Sequence, residues 1–172
     1  MVDYNTIYDV QFNDGAITEP VSLNEAKDFC KIDISNDDDL ITSLITAARQ
    51  MCEAYTGVGF VEHQMTVTLN NVNGNIYLPY GPIVEIIEVL DDEGNELTED
   101  DDYTLRGNDF KRLQYPEWDN LSVEYVGGYG VLPDILKTGL LNAIYFLYDN
   151  RAQGTEDIGP IAKMILKPYR RV

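Results

Sequence analysis

The chain has 172 residues, 44% of them hydrophobic, which fits one domain or one compact body with an elaborated insert. It carries 12 Lys and Arg residues against 30 Asp and Glu residues, so its formal net charge is -18 and most of its surface repels polyanions. The sequence contains no apolar run of about 18 residues that could span a bilayer, and its N-terminus lacks the basic-then-apolar pattern of a secretion signal. We therefore expect a soluble, intracellular protein without membrane contacts.

Charge is distributed unevenly along the chain. The segment Asp91–Asp102 holds eight acidic residues and no base, whereas the last ten residues hold four bases and no acid. The four bases are Lys163, Lys167, Arg170 and Arg171. This contrast favours an assembly component whose basic end meets an acidic protein over a protein that binds phosphates.

The N-terminal residues predict an extended arm followed by a short helix. Aromatic and apolar side chains recur at even spacing in this arm, residues 1–18: Tyr4, Tyr8, Val10 and Phe12. Ser22 and Glu25 have the spacing of a reciprocal capping box, which predicts a helix that continues to about Lys31.

A long helix is predicted next. Asn36 can cap it, and the acids Asp37–Asp39 suit the partial positive charge of its first turn. Gly57 is placed to end it in the left-handed conformation. The apolar side chains form one stripe at helical spacing: Leu40, Ile41, Leu44, Ile45, Ala48, Met51, Cys52 and Tyr55.

From Phe60 to Tyr125 the hydrophobic period changes to two, which is typical of antiparallel strands. Asn73-Gly74-Asn75 predicts a turn between the first two strands, and Asp92–Asn95 and Gly107–Asp109 predict two further turns. The predicted strands are Met65–Leu69, Ile76–Leu78, Ile83–Leu90, Tyr103–Leu105, Lys111–Leu113 and Leu121–Val126.

Helical periodicity returns after the glycine-rich turn Gly127–Gly130. A broad apolar face runs from Ile135 to Tyr148 and is wide enough to be buried against the first long helix. Residues 152–159 predict a loop, and Pro160 can begin a final short helix over Ile161–Leu166.

These elements predict an α+β fold in which helices lie at both ends of the chain and strands lie between them. Residues 19–57 and 131–172, including the C-terminal tail, are expected to form a helical base. Residues 58–130 are expected to form a β-rich insert that projects from this base.

The sequence does not match the residue spacings of the catalytic and metal-binding sites considered next. A calcium loop beginning at Asp91 would place Glu96 where glycine is required and Gly94 two positions early, so a solvated hairpin edge is the preferred interpretation. His63 is the sole histidine and is expected to be a solvent-facing or hydrogen-bonded strand residue.

Cys30 and Cys52 form no CxxC pair and are expected to be buried thiols. The turn Gly127–Gly130 lacks the residues of a phosphate-binding loop. No catalytic, cofactor-binding or metal-binding residue is therefore predicted, and the chain is not expected to be an enzyme. Two alternatives stay open: an acidic DNA mimic that inhibits a nucleic-acid-binding enzyme, and a hydrolase that uses two carboxylates.

The chain resembles the tailed-phage head-tail connector family, on motifs that span almost its whole length from Glu19. The N-terminal motifs are Glu19-Pro20-Val21-Ser22-Leu23-Asn24-Glu25-Ala26-Lys27, Asp37-Asp38-Asp39-Leu40-Ile41, Ala47-Ala48-Arg49 and Tyr55-Thr56-Gly57. The later motifs are Pro82-Ile83-Val84-Glu85-Ile86, Tyr125–Gly130 with Pro133, Leu147–Arg151 and Leu166-Lys167-Pro168-Tyr169-Arg170. The acidic segment Asp91–Asp102 matches no motif of the family.

The resemblance implies a head-completion, or portal-adaptor, protein of the virion neck, made in the host cytoplasm. Its implied partners are the portal protein, a tail or stopper protein, and neighbouring copies in a ring of about twelve, through which DNA passes without sequence-specific binding. Portal contact is expected from the C-terminal residues Pro160, Lys163, Lys167, Tyr169, Arg170 and Arg171.

Overall fold

The computed structural model describes residues 7–13, 15, 17–152 and 157–171, and the side chains of all of these except residues 7, 8, 71, 73 and 117–119. These residues form both helices and an antiparallel sheet, so the predicted α+β class is confirmed. The strands are β1 (Ile7–Phe12), β2 (His63–Tyr77), β3 (Ile83–Leu90), β4 (Thr104–Arg106) and β5 (Arg112–Gly127). The helices are α1 (Leu23–Cys30), α2 (Asp38–Thr56), α3 (Asp134–Asp149) and α4 (Pro160–Leu166), and a 3-10 turn follows at Lys167–Tyr169.

Contacts within the chain divide it into two compact units. The sheet unit consists of the described part of residues 1–17 together with residues 62–129. The helical unit consists of residues 18–61 and the described part of residues 130–172. The predicted domain bounds and the placement of the helical base relative to the β-rich insert stay predictions.

The sheet unit is one antiparallel sheet in the order β1-β2-β5-β3, in which β4 also pairs with β5. Its core is built mainly from alternate side chains of β2 and β5, including Met65, Val67, Val123 and Tyr125, all of which are buried. The Tyr125 hydroxyl donates to the Pro79 carbonyl at 2.9 Å, so its polar end is satisfied inside the core.

The predicted turn at Asn73-Gly74-Asn75 is wrong, because β2 runs through it as one strand. The partner strand β5 is continuous over 16 residues and pairs with both halves of β2. The register shifts between Leu69 and Gly74 absorb the extra residues as bulges, and Gly74 has a φ of 83° there. The predicted strand Leu121–Val126 and all of Lys111–Leu113 except Lys111 likewise belong to β5.

The N-terminal arm contributes an edge strand. Val10 and Phe12 lie in β1, which pairs with β2, as an extended segment requires. The Asn13 side chain donates to Thr66 Oγ1 at 2.9 Å and to Glu124 Oε1 at 3.1 Å, which joins the end of the arm to the sheet. Tyr4 lies outside the described residues.

In the helical unit, α1 begins with the predicted capping box. The Glu25 amide donates to Ser22 Oγ at 3.2 Å, and the Ser22 amide donates to Glu25 Oε2 at 2.9 Å. The helix ends at Cys30, and Lys31 adopts a left-handed conformation with a φ of 59°.

The predicted cap of α2 at Asn36 is wrong. The N-cap is Asp37, whose side chain makes no capping hydrogen bond. Its carboxylate instead accepts a hydrogen bond from the Tyr148 hydroxyl at 2.6 Å, which joins the start of α2 to the end of α3. At the other end of α2, Gly57 has the predicted left-handed conformation, with a φ of 71°.

α3 buries its apolar face, including Leu136, Leu140 and Leu147, and it contacts both α2 and α4. Pro160 begins α4 as predicted. The predicted loop falls partly outside the described residues, at 153–156. None of the helices in the described parts of the chain combines the length and apolar character needed to cross a membrane.

Candidate assembly surface

The C-terminal helix α4 has one buried and one exposed face. Ala162 and Leu166 are buried in the helical unit, whereas Ile161 is 54% exposed and Met164 is 70% exposed. Among the predicted contact residues, Pro160, Lys167, Arg170 and Arg171 are exposed, and Lys163 and Tyr169 are half-buried. The sequence-based prediction did not include the two apolar side chains, although they are the largest exposed apolar groups of this helix.

The tail cations are held by the helical unit. Arg170 Nε donates to the Tyr55 carbonyl at 3.1 Å, and its guanidinium lies 4.9 Å from the centre of the Tyr55 ring. The Arg171 amide donates to the Thr56 carbonyl at 2.6 Å. Both carbonyls lie in the last turn of α2, where the helix dipole favours cations. Arg170 and Arg171 are therefore fixed against α2.

Lys163 contributes less positive charge than its count suggests. Its Nζ forms an ion pair with Asp157 Oδ2 at 2.7 Å. The hydrogen bond from Lys163 lowers the pKa of the Asp157 carboxyl, with help from the Gly159 amide. The positive surface of this segment therefore comes mainly from Lys167, Arg170 and Arg171.

A buried ionic network that the sequence did not reveal fixes both segments flanking α2. Arg49, which is 3% exposed, donates from Nε to Glu19 Oε2 and from Nη1 to Glu53 Oε2, each at 2.8 Å. Glu53 Oε1 accepts from the Phe60 amide at 2.8 Å. Burial alone would lower the pKa of Arg49, but its hydrogen bond to Glu19 and the two negative charges raise it.

The acidic segment Asp91–Asp102 begins with a turn that is exposed, as a hairpin edge requires. Asp91 Oδ1 accepts from the amides of Glu93 at 3.0 Å and Asn95 at 2.8 Å, and the side-chain and backbone hydrogen bonds of Asn95 lower the pKa of Asp91. Its carboxylate thus caps its own turn. The described residues contain no group of three or more His, Cys, Asp or Glu side chains that could hold a metal ion.

His63 and the cysteines occupy structural positions. His63 is 3% exposed, so the solvent-facing interpretation is wrong; its ring lies 4.9 Å from that of Phe12 and 6.3 Å from that of Tyr80. Cys52 is buried as predicted, and burial raises the pKa of its thiol to about 12. Cys30 is only half-buried. Because its thiol stays protonated at neutral pH, Cys52 is a poor nucleophile.

Comparison with known protein families gives a match over the N-terminal half of this chain. Residues 20–102 match the phage gp6-like head-tail connector protein family. The resemblance predicted from the sequence motifs is therefore confirmed. A comparison with curated proteins gives no match.

Solved structures extend the likeness to nearly the whole chain. A chain in the neck of an empty gene transfer agent particle, computed with C6 symmetry, has a TM-score of 0.74 at 15% identity and covers 96% of both chains. A chain in the virion of a native gene transfer agent particle has a TM-score of 0.74 at 15% identity, with 95% of both chains covered. A chain in the native neck, computed with C12 symmetry, has a TM-score of 0.61 at 16% identity and covers 94% of this chain and 95% of its own. At these identities the likeness shows a shared fold.

Proposed function

We propose that the chain is a structural head-completion, or adaptor, protein in the neck of a phage-like particle. Copies form a ring between the portal and the tail or stopper, and the ring extends the DNA channel. The observation that carries this proposal is the match of residues 20–102 to the head-tail connector family. The fold that the chain shares with neck proteins of gene transfer agent particles supports it.

A closed ring of copies, twelve by proposal, fits the C6 and C12 symmetries with which the similar necks were computed. Such a ring repeats one heterologous contact between neighbours. The role is structural, not catalytic. For two of the candidate reactive groups the structure supports this assignment, because the Cys52 thiol is buried and protonated and the Asp91 carboxylate caps its own turn.

The net charge of -18 suits a channel through which DNA must slide. Protein binding to DNA depends on cations that neutralise phosphates and release counterions. A wall rich in carboxylates repels the phosphates instead, so DNA can pass without being held.

The contact with the portal is proposed for the outer face of α4 and the tail. Ile161 and Met164 supply apolar area, and Lys167 and Arg170 supply positive charge beside it. Apolar side chains with a charged rim are typical of protein interfaces. The expected partner surface is apolar at its centre and acidic at its edge.

Point variants test this contact better than truncation after residue 159, because truncation would remove the buried side chains Ala162 and Leu166. Heads that carry portal protein but lack this chain are mixed with the purified chain, sedimented and analysed for bound chain. Wild type should bind, and Met164→Glu should bind about tenfold less because a charge would be desolvated in the contact. Val131→Glu, at a side chain that is 87% exposed, is the matched control and should bind normally.

Two failures are distinguishable. If wild-type chain does not bind such heads and is absent from purified particles, the proposed function is wrong. If wild type and Met164→Glu bind equally, the function stands and the portal contact lies elsewhere on the chain.

A further inference from the structure

A corner of the helical unit exposes apolar side chains together with acids. Phe29 lies in the last turn of α1, Ile34 lies in the segment between the two helices, and Leu40 lies in the first turn of α2. All three are exposed, Ile34 by 56%. Asp28 and Asp33 are exposed next to them in the chain. We call these five residues the acidic corner.

Polar contacts of its neighbours hold the acidic corner in place. Lys27 Nζ forms an ion pair with Asp38 Oδ1 at 2.6 Å, which joins the last turn of α1 to the first turn of α2. The Tyr148 hydroxyl donates to Asp37 Oδ2 at 2.6 Å, which joins the start of α2 to the end of α3. The exposed apolar side chains are therefore presented by three helix ends that are fixed to one another.

Helix stability does not explain the acids of this corner. The C-terminal end of a helix favours cations, yet Asp28 lies exposed in the last turn of α1. Asp33 belongs to neither helix. Lys31 is the one exposed base among residues 28–40, all of which the structure describes, so the corner is negative at its edge. An apolar centre with a charged rim is typical of protein interfaces.

The tail surface has the opposite charge. We use this name for the outer face of α4 and the cations after it, namely Ile161, Met164, Lys167 and Arg170. Arg170 is held by Tyr55, and α2 rises about 22 Å from Leu40 to Tyr55. Lys167 follows Leu166, which packs against Gly139, and α3 rises about 13 Å from Gly139 to Tyr148 beside the corner. Both distances exceed the Debye length of about 8 Å at physiological salt, so the corner of a copy does not screen its own tail cations from incoming acids.

We propose that, away from the portal, the acidic corner of one copy binds the tail surface of a second copy, with Ile34 against Met164 and Asp33 against Lys167. This inference rests on the proposed function, because the tail surface is the one assigned to the portal. The corner has the composition expected of that partner, apolar at its centre and acidic at its edge. The portal and a second copy therefore exclude each other, and the portal displaces the second copy when the chain joins the neck.

A second copy is the favoured occupant because both halves of the contact lie on one chain. The two surfaces are separate, so they combine head to tail in a heterologous contact that can repeat. Copies that each carry a net charge of -18 repel one another, so an attractive contact must match opposite charges locally. DNA would explain the tail cations alone, because its phosphates are repelled by the acidic corner.

Charge reversal on each side of the contact tests the proposal in solution, without heads. Sedimentation velocity of the purified chain should show wild type associating as its concentration is raised. Asp33→Lys sets base against base and Lys167→Glu sets acid against acid, so each should raise the Kd of association about tenfold. The double variant Asp33→Lys, Lys167→Glu should associate like wild type, because the two reversed charges face each other at every contact.

The controls separate the contact from folding and from net charge. Circular dichroism and melting curves verify that each variant is folded. Asp101→Lys and Arg106→Glu, at exposed positions of the sheet unit, change the net charge by the same amounts and should associate like wild type. Asp33→Lys should bind portal-carrying heads at least as well as wild type, because its tail surface is unchanged. Met164→Glu should lose self-association and portal binding together.

Three results would overturn the proposal while leaving the proposed function intact. In the first, wild type stays monomeric up to about 1 mM, the range of very weak contacts. In the second, the double variant associates as weakly as the single variants. In the third, Asp33→Lys associates like wild type but lowers the joining of tails to filled heads, which would assign the acidic corner to a tail-side protein. If wild type associates as expected but never binds portal-carrying heads, the contact between copies stands and the proposed function is wrong.

Discussion

Arg49 is the buried cation on which three segments of the helical unit depend. It pairs with Glu19 before α1 and with Glu53 on its own helix, and Glu53 holds the Phe60 amide after α2. Removing a buried cation leaves its partners uncompensated, so we expect Arg49→Met to lower the free energy of unfolding by about 3–5 kcal/mol. Chemical denaturation followed by circular dichroism measures this.

Most of the stability lost in Arg49→Met should come from the uncompensated carboxylates of Glu19 and Glu53, and less of it from lost packing. The triple variant Arg49→Met, Glu19→Gln, Glu53→Gln removes all three charges, and the side-chain amide introduced at position 53 can still accept from the Phe60 backbone amide. It should recover a large part of the lost stability, as replacement of whole buried ion networks often does. A triple variant no more stable than Arg49→Met would show that packing of the Arg49 stem matters more than charge.

Glu25 makes the stability of the helical unit sensitive to acid. The hydrogen bond from Lys137, followed by those from Ser22, lowers the pKa of Glu25 from 4.5 to about 2. A depressed carboxyl pKa stabilises the fold above the unfolded-state pKa and loses that effect as pH falls through the folded-state pKa. The wild type should therefore be more stable than Glu25→Gln at pH 7, and the difference should disappear between about pH 4.5 and pH 2.

The difference should be modest, on the order of 1 kcal/mol or less, because Glu25 is exposed and its ion pair is screened by solvent. Urea denaturation at a series of pH values measures it. Asp28→Asn, on the same helix, is the control, and its stability should follow that of the wild type across the series. A Glu25→Gln difference that persists unchanged at pH 2 would contradict the assignment.

At the scale of elements, α3 and α4 pack through a glycine. A Cβ atom on Gly139 would lie 2.5 Å from Leu166 Cδ2 and 2.8 Å from Leu166 Cγ, and Leu166 is fully buried. Alanine is favoured over glycine in a helix by about 0.5–1 kcal/mol, but overpacking a core costs about 1–3 kcal/mol. We expect Gly139→Ala to lower the melting temperature despite its better helix propensity.

A double-mutant cycle tests whether Leu166 is the cause. In a Leu166→Ala background the clash is absent, so Gly139→Ala should become neutral or stabilising there. If Gly139→Ala destabilised the wild type and the Leu166→Ala variant equally, the close approach of α4 would not be the reason for the glycine.

Local signals were sufficient where one residue decides the geometry. Ser22 with Glu25, Gly57 and Pro160 each mark a helix end, and all three ends were predicted correctly. The turn predicted around Gly74 failed because its backbone pairs with β5, where Tyr115 lies opposite Gly74. A distant strand can turn an Asn-Gly signal into a bulge, and the local sequence does not contain that strand.

Prediction from local sequence has the same limit for the charged surfaces. The tail cations are visible as a run in the sequence, but Arg106 and Arg112 become neighbours only through the hairpin register. In the Glu19–Arg49–Glu53 network, only Arg49 and Glu53 are separated by one helical turn, and nothing local indicates that Glu19 joins them. The sequence gives the number of charges. Tertiary contacts determine which of these charges meet.

At the scale of the whole molecule, the net charge and the local contacts act over different distances. Copies that each carry a net charge of -18 repel one another over about one Debye length, whereas the proposed contact of Lys167 and Arg170 with an acidic edge of the portal acts within a few ångströms. The Debye length falls from about 30 Å at 0.01 M salt to about 10 Å at 0.1 M and about 3 Å at 1 M. Moderate salt thus removes the repulsion first, and only high salt weakens the contact.

Ring formation should accordingly have an optimum in salt. We expect the amount of chain bound to portal-carrying heads to rise between 0.01 M and about 0.1 M NaCl and to fall toward 1 M. Lys167→Glu weakens the attraction to the portal, so its binding should be weaker than that of wild type and should fall less between 0.1 M and 1 M NaCl. Sedimentation of the heads at each salt concentration measures both curves. A wild-type curve that rises steadily to 1 M would mean that the portal contact is mainly apolar, since burial of apolar surface is not weakened by added salt.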